Sequence, residues 1–214
     1  MSDQLLKFLM ARRSFLTRVG AGAFAGTAVQ AAGGPWQPAR HATDDWMDHL
    51  PGSHRLVFDT TTADGLASAT QWAGNFFTAS KAGYGLEDGD TAMIVVVRHR
   101  STAYGFNDAI WTKYRTQLTE SLDDSAGKPA PAAGGRTPRP AAIPSLTKRG
   151  VHVAICQMAT RRIAGELAAK TGGKTDDIFA EISANLVGNG HFAAAGIVAV
   201  NRAQERGYTL VTAV

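Results

Sequence analysis

Cysteine is nearly absent: Cys156 is the only one in 214 residues. A single thiol cannot close an internal disulfide. It also excludes the Cys-x-x-Cys pair of thioredoxin-type redox proteins and the Cys-x-x-Cys-His site of c-type haem. Long apolar runs are missing from the body of the chain, so nothing there reads as a transmembrane helix. Charge is sparse at 19% of residues, below ordinary usage. No glycine pattern of a nucleotide site occurs. GLEDGD and GNGHF read as turns, the second able to offer backbone amides to an anion. The short paired ligands of zinc modules are also lacking, so no metal ligand is assigned and the cofactor stays unknown.

What is present starts with MSDQLLKFLMARRSFLTRVGAGAFAGTAVQAAGG. Arg12 and Arg13 are followed by Phe15 and Leu16, then by a weakly apolar stretch rich in Gly and Ala. This resembles a twin-arginine export signal, an address read by a receptor rather than a fold element. It implies a signal over 1–31 cut after Ala31, a linker over 32–54, the export machinery as a partner and a periplasmic destination. Loss of 1–31 removes four of the 22 basic residues and one of the 18 acidic ones, leaving a net charge near +1. The basic pI therefore gives no argument for nucleic acid. In an oxidising compartment a lone thiol is buried and inert, paired with another molecule, or functional.

From residue 55 onward apolar runs alternate with helix-period segments. RLVFDT (55–60) reads as a strand. Leu66, Ala69, Ala73, Phe76 and Phe77 then mark a helix that Thr62 or Asp64 can cap. TAMIVVVRH (91–99) is a continuous apolar run, as in a strand buried on both faces. A single helix is expected over NDAIWTKYRTQLTESL, with Asn107 as its cap. Trp111 and Tyr114 share one of its faces, as core packing or as a pocket wall. Residues 123–144 hold five of the eight prolines and read as a long disordered insertion. VHVAIC is the third strand, followed by a helix ending at Gly172-Gly173. Another helix follows, capped by Thr175. A short strand is expected near Leu186 and Val187, then a last helix closed by Gly207 and the strand YTLVTAV. The alternation predicts an α/β domain over 55–214: three layers, α/β/α, around a mostly parallel sheet of about five strands.

In such sheets ligands sit beyond the carboxyl ends of the strands. Asp59 follows the first strand. Arg98, His99 and Arg100 follow the second, with Asn107 close behind. Cys156 follows the third, with Thr160, Arg161 and Arg162 in the next helix. His191 is expected after the fourth. Cys156, His99 and His191 are thus the candidate catalytic residues; Asp59, Arg98, Asn107, Thr160 and Arg161 are the candidate ligand-binding ones. A thiol at a helix N-terminus meets the positive dipole end and free amides, which favour the thiolate. An imidazole beside it activates a sulfur nucleophile. The same thiol also suits a small buried apolar position.

VHVAICQMATRR, the ending GIVAVNRAQERGYTLVTA and the order of strands and helices resemble the DsrE/DsrF-like sulfur-relay superfamily. VVVRHRSTAYGFNDAIWTKY resembles an exported group within it. The resemblance spans 55–214. It implies a five-stranded parallel sheet between helices, frequent homo-oligomers, an unidentified protein partner, and a persulfide carried on Cys156. Two functions follow as expectations. One is a sulfur carrier or thiol-dependent protein working through Cys156. The other is a non-catalytic module that binds a small ligand or metal in the same crevice, or serves as a subunit of a periplasmic assembly.

Overall fold

The computed structural model describes residues 37–123 and 142–213. The segment expected to be an export signal and most of the proline-rich stretch expected to be an insertion lie outside the described residues. Five parallel strands form one sheet: β1 (His54–Thr60), β2 (Thr91–Val97), β3 (His152–Cys156), β4 (Gly190–Ala193) and β5 (Thr209–Ala213), in the order β4-β3-β2-β1-β5. All seven residues of β2 are buried, as its unbroken apolar run requires of a central strand. The expected α/β/α architecture is what forms.

The helices are α1 (Ala63–Tyr84), α2 (Asp108–Lys113), α3 (Arg115–Asp123), α4 (Ala142–Lys148), α5 (Gln157–Thr171), α6 (Thr175–Ser183) and α7 (Gly196–Glu205). Their distribution follows from strand order. Steps β1→β2→β3→β4 all move the same way across the sheet. Right-handed crossovers then put every connecting helix on one face. There α1 to α6 bury Leu66, Phe77, Trp111, Leu118, Leu146, Leu167 and Ile182 against Phe58, Val95 and Ile155. The last connection runs back from β4 to β5, so α7 lies on the opposite face. Ala199, Val200 and Ala203 pack there on Val57, Ile94, Val96 and Ala154. Met47, from a 3-10 turn at Asp45–Met47, completes this second core and is fully buried. The stretch read as a linker over 32–54 therefore contributes a core side chain.

Several local expectations shift. The helix after Asn107 is two helices, α2 and α3, broken at Tyr114, whose backbone (φ −112°, ψ 21°) leaves the helical region. Asn107 does cap α2, its side-chain oxygen accepting the Ala109 and Ile110 N–H groups. Trp111 is core: it is fully buried and donates to the Ala103 carbonyl at 2.9 Å. Thr175 is the first residue of α6 rather than its cap; Lys174 takes that position without a side-chain bond. Residues 142–144, assigned to the insertion, belong to α4. Pro144 is tolerated in its first turn, where a missing N–H costs nothing. Leu186 makes only an isolated antiparallel bridge to Phe106; the fourth strand is Gly190–Ala193, which takes up the last three residues of GNGHF, read as a turn. Four residues are too few to carry a periodic signal, and pairing with β3 supplies the order instead.

Candidate functional site

Reversal of winding direction creates the site. At the carboxyl edge β3 leads into α5 on one face, and its neighbour β4 leads toward α7 on the other. The two helices diverge and leave a crevice between their N-termini, the switch point where ligands bind in open parallel sheets. A cleft of 630 Å³ lies there, lined by Arg98, His99, Arg100, Cys156, Met158, Ala159, Arg162, Ala195, Gly196 and Ile197.

Cys156 ends β3 and is the N-cap of α5. Its Sγ accepts the Ala159 N–H at 3.4 Å, and its carbonyl accepts from Thr160 Oγ1 at 2.9 Å. The residue is only 7% exposed, and that exposure opens on the cleft. Arg98 follows β2 on the same sheet face. Its guanidinium donates twice to Asp59, Nε to Oδ1 at 2.7 Å and Nη2 to Oδ2 at 2.8 Å. The pairing is dictated by register: Asp59 stands beside Val96, and Arg98 is two residues further along that strand's direction. These bonds, with the neighbouring Asp59 charge, hold the Arg98 guanidinium above its ordinary value, against the opposing effect of desolvation. The Arg98 stem lies across the first turn of α7. A Cβ on Gly196 would stand 2.3 Å from Arg98 Cβ, so only glycine fits there.

His99 adopts a left-handed backbone, φ 57°, a conformation that strains a non-glycine residue and clusters at functional sites. It opens a 3-10 segment, His99–Gly105, held onto the sheet edge by buried Ser101. Ser101 Oγ accepts the Arg98 N–H at 3.0 Å and lies 2.9 Å from the Thr60 and Arg98 carbonyls. Arg162, one turn into α5, is ion-paired with Glu166. Arg100 has no acidic partner among the described residues, and no carboxylate among them lines the cleft.

The cleft thus brings together Cys156, His99 and Arg98, with Asp59 behind the arginine. Other candidates lie elsewhere. Asn107 caps α2 and donates to Asn185 Oδ1. Thr160 is fully buried beneath the Cys156 carbonyl. Arg161 stacks over the Phe179 ring at 4.0 Å.

His191 is corrected in position. It is not beyond the fourth strand but within it, opposite Ala154, and does not line the cleft. Its Nε2 is 2.8 Å from His152 Nδ1, and its ring stacks on Trp46 at 4.0 Å. Burial, then the neighbouring His191 charge, depress the His152 pKa to about 4; burial also lowers that of His191. This neutral imidazole pair went unassigned in the sequence, although His152, Ala154 and Cys156 share one face of β3 by simple alternation. Among the described residues no cluster of three or more His, Cys, Asp or Glu could hold a metal ion. No helix among them is long and apolar enough to cross a membrane.

Comparison with protein-family models, with curated proteins and with solved structures finds no match to the chain. Fold and site together define a parallel α/β domain with one thiol in a cationic crevice at the switch point of its sheet.

Proposed function

We propose that the protein is an exported, DsrE-like thiol protein that carries sulfur as a persulfide on Cys156. The observation that carries this reading is the position of the sulfur. It caps a 15-residue helix while facing a cleft lined by Arg98, Arg100 and Arg162. A helix N-terminus and guanidinium groups stabilise an anionic sulfur, whether thiolate or persulfide. His99, the imidazole on the cleft, receives the thiol proton. Arg98, held by Asp59, keeps its charge fixed at the crevice instead of swinging into solvent. Support for export comes from the Arg12-Arg13-Ser14-Phe15-Leu16 pattern, and a thiol carrier outside the cytoplasm implies a partner protein that takes the sulfur on.

Polysulfide treatment followed by intact and peptide mass spectrometry tests this. The expected result is one added sulfur on the Cys156 peptide, reversed by dithiothreitol and absent in Cys156→Ser. A wild-type protein that stays unmodified overturns it. The low exposure of Cys156 favours the second reading, a non-catalytic binding module, in that event.

A further inference from the structure

Resting on that reading, we propose that the sulfur donor is an anion in which a sulfane sulfur is joined to a tetrahedral sulfur–oxygen group, of which the thiosulfate dianion is the simplest.

Three features of the cleft point to this class. First, three guanidinium groups line it and one of them is without an acidic partner among the described residues. Arg98 and Arg162 each have a carboxylate partner, Asp59 and Glu166. Arg100 has none among the described residues, and no carboxylate among them lines the cleft. A guanidinium presents forked donors that match the oxygens of a tetrahedral anion. Second, two helices of ample length, α5 and α7, start at this crevice, and the N-cap of α7, Ala195, supplies no side-chain acceptor for its amides. Oxyanions bind such ends through free N–H groups. Third, the lips are apolar. Met158 and Ile197, the second residue of each helix, are 69% and 59% exposed on either side of the opening. They suit the soft sulfane sulfur and leave the oxygens to the arginines.

The transfer balances without an outside oxidant. The Cys156 thiolate attacks the outer sulfur of thiosulfate. A new S–S bond forms, the bond between the two thiosulfate sulfurs breaks, and sulfite leaves with the electron pair. The product is a Cys156 persulfide anion, stabilised by the same helix end.

Second-order loading rates with two donors separate this inference from the reading beneath it. The donors are thiosulfate, which leaves one added sulfur on the Cys156 peptide and releases sulfite, and neutral diallyl trisulfide, whose attack by the thiolate leaves an allyl disulfide on Cys156 and expels allyl persulfide, so that it reads thiol reactivity alone. Thiosulfate is expected to load Cys156 with stoichiometric sulfite, and sulfate should compete. Arg100→Gln should lower the ratio of thiosulfate to trisulfide rates by about tenfold, as loss of one charge-assisted hydrogen bond implies. Arg100→Lys should restore part of that ratio. If trisulfide modifies Cys156 but thiosulfate does not, or if the ratio ignores both Arg100 and sulfate, the donor assignment fails, while the persulfide reading is decided by the polysulfide experiment. If neither donor loads the thiol, the persulfide reading itself fails, and the donor assignment falls with it.

Discussion

His99 shows how a single residue can hold a cost that local structure does not explain. Its left-handed φ of 57° is tolerated because the turn that follows is anchored through Ser101. Glycine occupies such a conformation freely. His99→Gly should therefore raise the free energy of unfolding by about 0.5–1 kcal/mol, read from the urea midpoint, while slowing thiol loading. Gly196 is the opposite case. Its substitution by alanine drives a Cβ to within 2.3 Å of the Arg98 stem. The arginine must shift or α7 must lift. Gly196→Ala should cost about 1–3 kcal/mol, and crystallography should find Arg98 displaced from Asp59. An unshifted ion pair would contradict the close seating of the Arg98 stem on Gly196.

Among the elements, the His99–Gly105 segment decides how the cleft floor is held. It ends β2 and turns back over the sheet edge, where Gly105 passes so close to Ile155 that a Cβ would sit 2.7 Å from Ile155 Cγ1. One hydroxyl, that of Ser101, accepts the Arg98 N–H and lies within reach of the Thr60 and Arg98 carbonyls, to either of which its single proton can go. Each of these groups also has a backbone partner, Arg98 N–H with the Thr60 carbonyl and Ser101 N–H with the Arg98 carbonyl, so removing the hydroxyl costs its own bonds rather than a full desolvation penalty. Ser101→Ala should lower stability by about 0.5–1.5 kcal/mol, and amide exchange at Arg98 should accelerate more than at α1. Helix α7 is the complementary element. It is the principal helix on its face, and the buried Arg206 at its C-cap binds Asp48 at 3.2 Å, fastening the Asp45–Met47 turn beneath it.

The molecule as a whole has a built-in response to acid. His152 and His191 share a hydrogen bond at the base of the second core, beside Trp46. In the folded chain His152 takes up a proton only near pH 4; unfolded, it does so near its ordinary 6.5. Between those values the unfolded state binds more protons, so stability is complete above about pH 6.5 and is lost as pH falls toward 4. His191 shifts in the same direction. With both rings half exposed, the loss should be about 1–2 kcal/mol, measured by urea unfolding at about pH 7.5 and about pH 4.5. In His152→Gln the difference between the two pH values should shrink. Met47→Ala tests the same core from the other side. Its side chain is fully buried, so truncation should cost about 2–4 kcal/mol, a result foreign to a passive linker.

Periodicity by itself determined the parallel α/β class, the main strands, most helices and the thiol at a strand-to-helix junction. Each of these rests on nearest-neighbour physics: apolar runs, caps such as Asn107 and Thr62, glycines at helix ends. The strand-end pattern placed Asp59, Arg98, His99, Arg100 and Cys156 on one sheet edge; tertiary structure decided which of them close into a cleft and with what partners. Strand order and the reversal between β4 and α7 put Arg98, Arg100 and Arg162 around Cys156. The register of a four-residue strand turned His191 toward His152 and Trp46, away from the sulfur. Register and winding depend on contacts between residues tens of positions apart, and no local pattern encodes those.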